Sequence, residues 1–114
     1  MSYKCFEVSI ENKIAHIVLN RPEKRNSMIP EFWDELPAIV KELDANAQAR
    51  VIVISSTGPH FTAGIDTAVF SNNAVQSDDP KVAEKQRRTH GAKLYDTVDY
   101  LQQSFTCLEE CRIP

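Results

Sequence analysis

The chain has 114 residues, 42% of them hydrophobic, and a formal net charge of −3 at pH 7. This length suits one compact domain, and the weak negative charge, without a basic block, argues against binding to nucleic acid or to an anionic membrane surface. Because no apolar run approaches the roughly 20 residues that cross a bilayer and the N-terminus lacks a signal-peptide core, we expect a cytoplasmic protein without a membrane span.

The chain is predicted to open with a β-hairpin. Phe6, Val8 and Ile10 alternate with polar residues, residues 11–13 offer a turn, and a second apolar segment follows at residues 14–19.

A helix is predicted after Ser27, which can act as its N-terminal cap. Pro30 is acceptable in the first turn of this helix, whereas Pro37 would remove a backbone hydrogen bond from its interior. We therefore predict a kink or a break near Trp33. The apolar positions that recur at helical spacing are Phe32, Leu36, Ile39, Val40 and Leu43.

The next apolar segment, residues 51–55, lacks the alternation of a half-buried strand. It is therefore predicted to be a strand buried on both faces. A helix that connects two strands implies that they pair in parallel.

Polar residues 71–79 predict a mobile loop that ends at a capping Asp79, with Pro80 in the first turn of a long helix. We expect the apolar stripe of this helix to pack on the sheet, and a dedicated partner-binding role is the alternative. The stripe consists of Leu94, Val98, Leu101, Phe105 and Leu108.

The cysteines and histidines form no metal or disulfide pattern. Cys5, Cys107 and Cys111 cannot pair completely and contain no CxxC motif. The three histidines fall in a predicted strand, a loop and a predicted helix, without a shared ligand spacing. We therefore predict no metal site and interpret the cysteines as buried small hydrophobic residues.

The segment HFTAGIDTAVF, residues 60–70, places a turn of small residues directly after the apolar strand. Open α/β sheets bind ligands at this position, and Gly64 lets the backbone approach a ligand closely. Backbone N–H groups at the start of a following helix can stabilise a developing negative charge. The alternative is a simple helix entry in which Asp66 is a capping or first-turn acid.

Two motifs in this order carry a family resemblance: IAHIVLNRPEKRNSM at residues 14–28, and HFTAGID after the helix and strand. Together they resemble the N-terminal half of the crotonase (enoyl-CoA hydratase/isomerase) superfamily. Within it, Phe32-Trp33 and FTAGID are most similar to the dienoyl-CoA isomerase branch. The resemblance implies an α/β fold, the N-terminal part of a crotonase-like ββα spiral: an opening hairpin, a crossover helix, a buried parallel strand and a long C-terminal helix. Residues 1–114 would form a single partial domain that lacks the second half of the family fold.

The resemblance also implies an acyl-CoA thioester as the substrate, with no cofactor apart from the coenzyme A that it carries. Lys24 and Arg25 would meet the nucleotide end of coenzyme A. Thr62, Ala63 and Gly64 would run past its adenine and pantetheine portions. The backbone N–H of Ile65 would be the first oxyanion-hole donor and a further coenzyme A contact.

By the same resemblance, Asp66 would be a structural cap and not the general base. The second oxyanion-hole donor and the catalytic carboxylates would follow Pro114, so the sequence leaves open whether the chain is itself an enzyme.

Two hypotheses follow for function. The first is the N-terminal part of an acyl-CoA enzyme of fatty-acid β-oxidation, with dienoyl-CoA isomerisation favoured over enoyl-CoA isomerisation or hydration. The alternative is a non-catalytic small α/β module that binds or assembles through its long helix. In either case we expect a homo-oligomer, because uncovered apolar faces of a sheet and a helix favour self-association.

Overall fold

The computed structural model describes residues 2–70 and 78–114, so most of the predicted loop at residues 71–79 lies outside the described residues. The regular elements are three strands, two α-helices and two short 3-10 helices in the described part of the chain. They are β1 (Phe6–Glu11), β2 (Ile14–Leu19), a 3-10 helix (Pro22–Lys24), α1 (Pro30–Asn46), β3 (Val51–Ser56), a second 3-10 helix (Thr67–Phe70) and α2 (Pro80–Glu110).

The three strands form one sheet in the order β1-β2-β3. β1 pairs with β2 in antiparallel fashion, and β2 pairs with β3 in parallel. Asn12 and Lys13 both have positive φ, 53° and 65°, as a two-residue hairpin turn with the favoured twist requires. The predicted hairpin and the predicted parallel crossover are therefore confirmed.

The core lies between one face of the sheet and α1. Ala15 and Ile17 of β2 have no exposed surface. All the predicted apolar positions of α1 are buried, together with Trp33. The Phe32 ring packs against Phe6 of β1, with ring centroids 5.0 Å apart. The helical periodicity of the sequence thus identified the face of α1 that covers the sheet.

The N-terminus of α1 differs from the prediction. Ile29, in extended conformation, occupies the capping position and makes no side-chain capping bond. The Ser27 hydroxyl instead donates to Asp66 Oδ2 at 3.2 Å, so Ser27 as the cap was wrong. Pro30 lies in the first turn as expected, where its lack of an N–H is harmless.

Pro37 lies inside α1 without ending it. The helix is continuous from residue 30 to residue 46, so the predicted break near Trp33 was wrong, and the alternative of a kink stays a prediction. Proline removes one helical hydrogen bond, at a cost of about 3 kcal/mol. The buried side chains on both sides of Pro37, which include Trp33 and Val40, hold the helix on the sheet and offset this cost.

β3 is not buried on both faces, which corrects the prediction. Its residues alternate between exposed and partly buried, and Val51 and Val53 are 41% and 40% exposed. Ile52 and Ile54 pack against the core from the opposite face. β3 is one of the two edge strands of the described sheet, and its alternating burial shows that one of its faces is covered more than the other.

α2 begins at the predicted cap: Asp79 Oδ1 accepts a hydrogen bond from the Lys81 N–H at 3.0 Å, and Pro80 follows in the first turn. Its stripe does not pack on the sheet as expected, because α2 lies against α1. Leu101 and Leu108 pack against the core, whereas the stripe is otherwise exposed. The exposed stripe residues are Leu94, Val98 and Phe105, at 43–46%.

Cys5 provides a pH-dependent test of the packing. Burial, and secondly the negative charge of Glu35, raise the pKa of the Cys5 thiol from 9.0 to about 11. The folded state therefore holds this proton more tightly than the unfolded state, so the stabilisation is complete below pH 9 and is lost as the pH rises towards 11. Denaturant titrations at pH 8 and pH 10.5 should show a smaller loss of stability for Cys5→Ala than for the unsubstituted protein. Equal losses would contradict a thiol buried in the core.

Candidate functional site

Two loops leave the sheet side by side and form the candidate site. The first site loop, residues 20–28, follows β2, and the second site loop, residues 57–66, follows β3. Because β2 and β3 are parallel, both loops start at the carboxyl ends of neighbouring strands, the position at which open α/β sheets bind ligands. The fold thus brings together the two motifs that are separated in sequence by α1.

The first site loop turns sharply. Its 3-10 helix ends at Lys24, and Arg25 and Asn26 adopt left-handed conformations with φ of 54° and 53°. The Arg25 N–H donates to the Pro22 carbonyl at 3.1 Å, and the Asn26 N–H donates to the Arg21 carbonyl at 2.8 Å. Lys24 and Arg25 are both exposed at this turn. Their charges are therefore accessible to an anionic ligand.

The second site loop approaches the first closely at Gly58. A Cβ atom at this residue would lie 3.0 Å from Pro22 Cβ, and the φ of Gly58 is +78°. The positive φ therefore favours glycine at this position, and the close contact with Pro22 leaves little room for a Cβ atom. Gly64 has a φ of +93°, but a Cβ there would meet nothing within 4 Å.

Asn26 joins the two loops through its side chain, which is only 3% exposed. Its Nδ2 donates to the carbonyls of Thr57 at 2.7 Å and His60 at 3.0 Å. Its Oδ1 accepts a hydrogen bond from the Arg21 N–H at 2.8 Å. Sequence reasoning did not identify this residue, although asparagine is the non-glycine residue best suited to a left-handed turn.

The predicted residues of the two motifs contact one another. The Thr62 hydroxyl donates to the Asn26 carbonyl at 2.6 Å, and the Ala63 N–H donates to the Arg25 carbonyl at 3.0 Å. The Gly64 N–H in turn donates to Thr62 Oγ1 at 3.2 Å. The structure therefore places the segment 62–65 beside Lys24 and Arg25.

The backbone of Ile65 is held by a parallel bridge to Met28. The Met28 N–H donates to the Gly64 carbonyl, and the Asp66 N–H donates to the Met28 carbonyl, each at 2.8 Å. In this pattern the N–H of Ile65 itself points away from Met28. It has no hydrogen-bond acceptor among residues 2–70 and 78–114. The site thus contains a backbone donor whose orientation the bridge fixes and which the described residues leave without an acceptor.

Asp66 has the structural role that the sequence suggested. Its Oδ1 accepts from the Ala68 N–H at 2.9 Å and so caps the second 3-10 helix. This backbone hydrogen bond, with the Ser27 hydroxyl and the nearby Arg21, lowers the pKa of Asp66. The carboxylate is therefore held ionised as a cap and not prepared to carry a proton.

Within the described ranges, no group of three or more His, Cys, Asp or Glu side chains could hold a metal ion. None of the helices in that same part of the chain is long and apolar enough to cross a bilayer.

Comparisons with known proteins agree with this architecture. A family model described as enoyl-CoA hydratase/isomerase matches residues 9–98. The chain is 30% identical over 116 residues to the peroxisomal Delta(3,5)-Delta(2,4)-dienoyl-CoA isomerase of Arabidopsis thaliana, and 32% identical over 114 residues to the mitochondrial enzyme of that name from Rattus norvegicus. These matches cover 99% of the chain and 40% and 33% of the two relatives.

A solved structure shows the same fold. The enoyl-CoA hydratase of Mycobacterium smegmatis superposes with a TM-score of 0.76 at 25% identity, over 99% of this chain and 39% of that one. The chain thus spans between a third and two fifths of the length of these relatives. The predicted crotonase-like α/β fold is confirmed. Since the family model matches most of its residues, the chain belongs to the enoyl-CoA hydratase/isomerase family.

Proposed function

We propose that this chain is the acyl-CoA-binding part of an enzyme that isomerises dienoyl-CoA thioesters. Isomerisation or hydration of enoyl-CoA thioesters is the next choice within the same family. The observation that carries this proposal is the Ile65 N–H, which the bridge to Met28 orients and leaves without an acceptor among the described residues.

The proposed chemistry needs a donor where negative charge develops. Removal of a proton next to a thioester carbonyl moves negative charge onto the carbonyl oxygen, which becomes an enolate. A fixed N–H aimed at this oxygen stabilises the transition state and raises the rate by roughly a hundred- to a thousandfold. The proposal assigns to Ile65 one of the two donors that the family resemblance implies.

Lys24 and Arg25 are proposed to bind the phosphates of coenzyme A. Both side chains are exposed, and the Arg25 carbonyl is bonded to the Ala63 N–H, so the cations lie next to the segment that carries Ile65. Charge-assisted hydrogen bonds from lysine and arginine suit phosphate oxygens. In this proposal, Thr62, Ala63 and Gly64 line the path between the phosphates and the thioester, and the enzyme needs no other cofactor.

The choice of isomerisation is supported by the dienoyl-CoA isomerases of Arabidopsis thaliana and Rattus norvegicus among the relatives. Phe32-Trp33, which suggested the same branch, does not support it through contact with a ligand. Both side chains are buried, at 6% and 3% exposure, and their rings pack edge to face in the core. Their part in the resemblance is therefore structural.

Neutralising the two cations tests the binding site. We expect Lys24→Gln/Arg25→Gln to weaken the affinity for coenzyme A by about 10- to 100-fold, because two charge-assisted contacts are lost. Isothermal titration calorimetry with coenzyme A and with a 3,5-dienoyl-CoA would measure this loss. The matched control is Lys85→Gln/Arg88→Gln, which removes the same charges from exposed positions on α2.

If the two double variants lose the same affinity for coenzyme A, the loss reflects the overall charge of the protein. This result would contradict a phosphate site at Lys24 and Arg25. If the unsubstituted protein binds neither the 3,5-dienoyl-CoA thioester nor free coenzyme A, the assignment of an acyl-CoA substrate is refuted.

Assembly through α2 is the second candidate function, and the exposed apolar surface of that helix favours it. Leu94 and Val98 are 46% and 43% exposed, and Tyr95 is 78% exposed. This candidate predicts a defined oligomer whose mass and stability are indifferent to coenzyme A. Light scattering with and without coenzyme A separates it from the first proposal, which requires a ligand effect that weakens in Lys24→Gln/Arg25→Gln.

A further inference from the structure

We infer that Asn26 is a positioning residue that fixes the Ile65 N–H through the second site loop. This inference rests on the proposed function, because it concerns the donor that the proposed reaction uses. Asn26 belongs to the first site loop and lies 39 positions before Ile65 in the sequence. Its influence on the donor therefore depends on contacts between the loops.

A continuous series of hydrogen bonds connects the two residues. The backbone carbonyl of Asn26 accepts a hydrogen bond from the Thr62 hydroxyl at 2.6 Å. The same hydroxyl oxygen accepts a hydrogen bond from the Gly64 N–H at 3.2 Å. The Gly64 carbonyl then accepts from the Met28 N–H at 2.8 Å, which forms one side of the bridge at Ile65. These bonds hold the backbone on both sides of Gly64. The direction of the Ile65 N–H therefore depends on the position of Asn26.

The Asn26 side chain fixes the other end of the second site loop. Both of its Nδ2 hydrogens have acceptors, the carbonyls of Thr57 and His60, and its Oδ1 has a donor. With all three partners on backbone atoms, the amide has a single satisfactory orientation. The side chain is buried, so water cannot replace these partners without opening the loops.

The backbone conformation of Asn26 allows a clean substitution. Its φ of 53° is a conformation that glycine adopts without steric cost, so Asn26→Gly removes the amide while keeping the turn. Asn12 in the hairpin turn has the same φ of 53° and an exposed side chain. Asn12→Gly is therefore a control that is matched in residue type and in backbone conformation.

Hydrogen exchange tests the contact between the loops without a substrate. We expect the amides of Met28, Ala63 and Asp66 to exchange at least about tenfold faster in Asn26→Gly than in the unsubstituted protein. The amides of the hairpin should keep their rates, and Asn12→Gly should leave all three loop amides unchanged. Unchanged exchange at these amides in Asn26→Gly would overturn the inference.

Steady-state kinetics with a 3,5-dienoyl-CoA, measured on the enzyme of which this chain is proposed to be a part, test the positioning role. We expect Asn26→Gly to lower kcat by about 10- to 100-fold, because small displacements of a catalytic group are costly. The affinity for free coenzyme A should stay within about threefold of the unsubstituted value, since Lys24 and Arg25 remain. Faster loop exchange with an unchanged kcat would make Asn26 structural only and would also overturn the inference.

A second variant covers the case in which Asn26→Gly does not fold. Thr62→Val removes the hydroxyl that connects Asn26 to Gly64, and Thr62→Ser restores it. The inference requires a lowered kcat in Thr62→Val and recovery of kcat in Thr62→Ser, and the absence of this difference overturns it. If neither the unsubstituted chain nor the enzyme of which it is proposed to be a part binds acyl-CoA, the proposed function is refuted, whatever the loop exchange shows.

Discussion

Replacing Ile17 with alanine is expected to lower the free energy of unfolding by about 2–5 kcal/mol. Ile17 lies in the central strand β2 and has no exposed surface. The substitution removes three buried carbon atoms and leaves a cavity between the sheet and α1, which neither rigid element can close. Urea denaturation followed by circular dichroism would measure the loss.

Ile10 on the neighbouring strand is the control for this substitution. It is 42% exposed, so Ile10→Ala removes the same atoms from a position that already contacts water. We expect a loss below about 1 kcal/mol, because little buried surface is involved. Similar losses for the two variants would contradict the complete burial of Ile17 between the sheet and α1.

Much of the fold followed from hydrophobic periodicity. The alternation in β1 and the helical spacing in α1 predicted the correct elements and the correct buried face, because each pattern marks the side of its element that packs against the other layer. The burial of β3 and the packing of α2 could not be predicted in this way. An apolar run such as that around Val53 does not tell whether an element covers each of its faces.

Pro37 shows a second limit of local patterns. Pro37 removes one hydrogen bond within α1, and the sequence around it indicates this local cost. The helix nevertheless stays continuous because side chains such as Trp33 and Val40 are buried in the core. The Ser27 cap failed for a related reason. A serine before a helix is equally able to bond a distant partner, and here Asp66 of the second site loop takes its hydroxyl.

The candidate site was predictable in part. The family resemblance pointed to the segments around Lys24 and Ile65, and the structure places these segments side by side. Asn26 lies within the first motif, but the role of its side chain was not predictable, because Asn12 has the same backbone conformation and an exposed side chain. The difference between them arises only when β3 brings the carbonyls of Thr57 and His60 to Asn26.

Replacing Ile65 with proline, in the enzyme of which this chain is proposed to be a part, is expected to lower kcat for a 3,5-dienoyl-CoA by about 100- to 1,000-fold. Proline has no N–H, so the variant loses the proposed oxyanion-hole donor. The substitution breaks none of the hydrogen bonds of the bridge, because these use Met28, the Gly64 carbonyl and the Asp66 N–H. Steady-state kinetics, with the affinity for coenzyme A measured in parallel, would separate the rate effect from binding.

Ile65→Val provides the matched control, since it changes the side chain and keeps the backbone N–H. Its kcat should remain within a few-fold of the unsubstituted value, whereas Ile65→Pro should keep its coenzyme A affinity and lose turnover. Hydrogen exchange at the Met28 and Asp66 amides checks that the bridge survives in both variants. If Ile65→Pro retained kcat with the bridge intact, the negative charge of the enolate would have to be stabilised by a group other than the Ile65 N–H, and the central observation of the proposed function would lose its meaning.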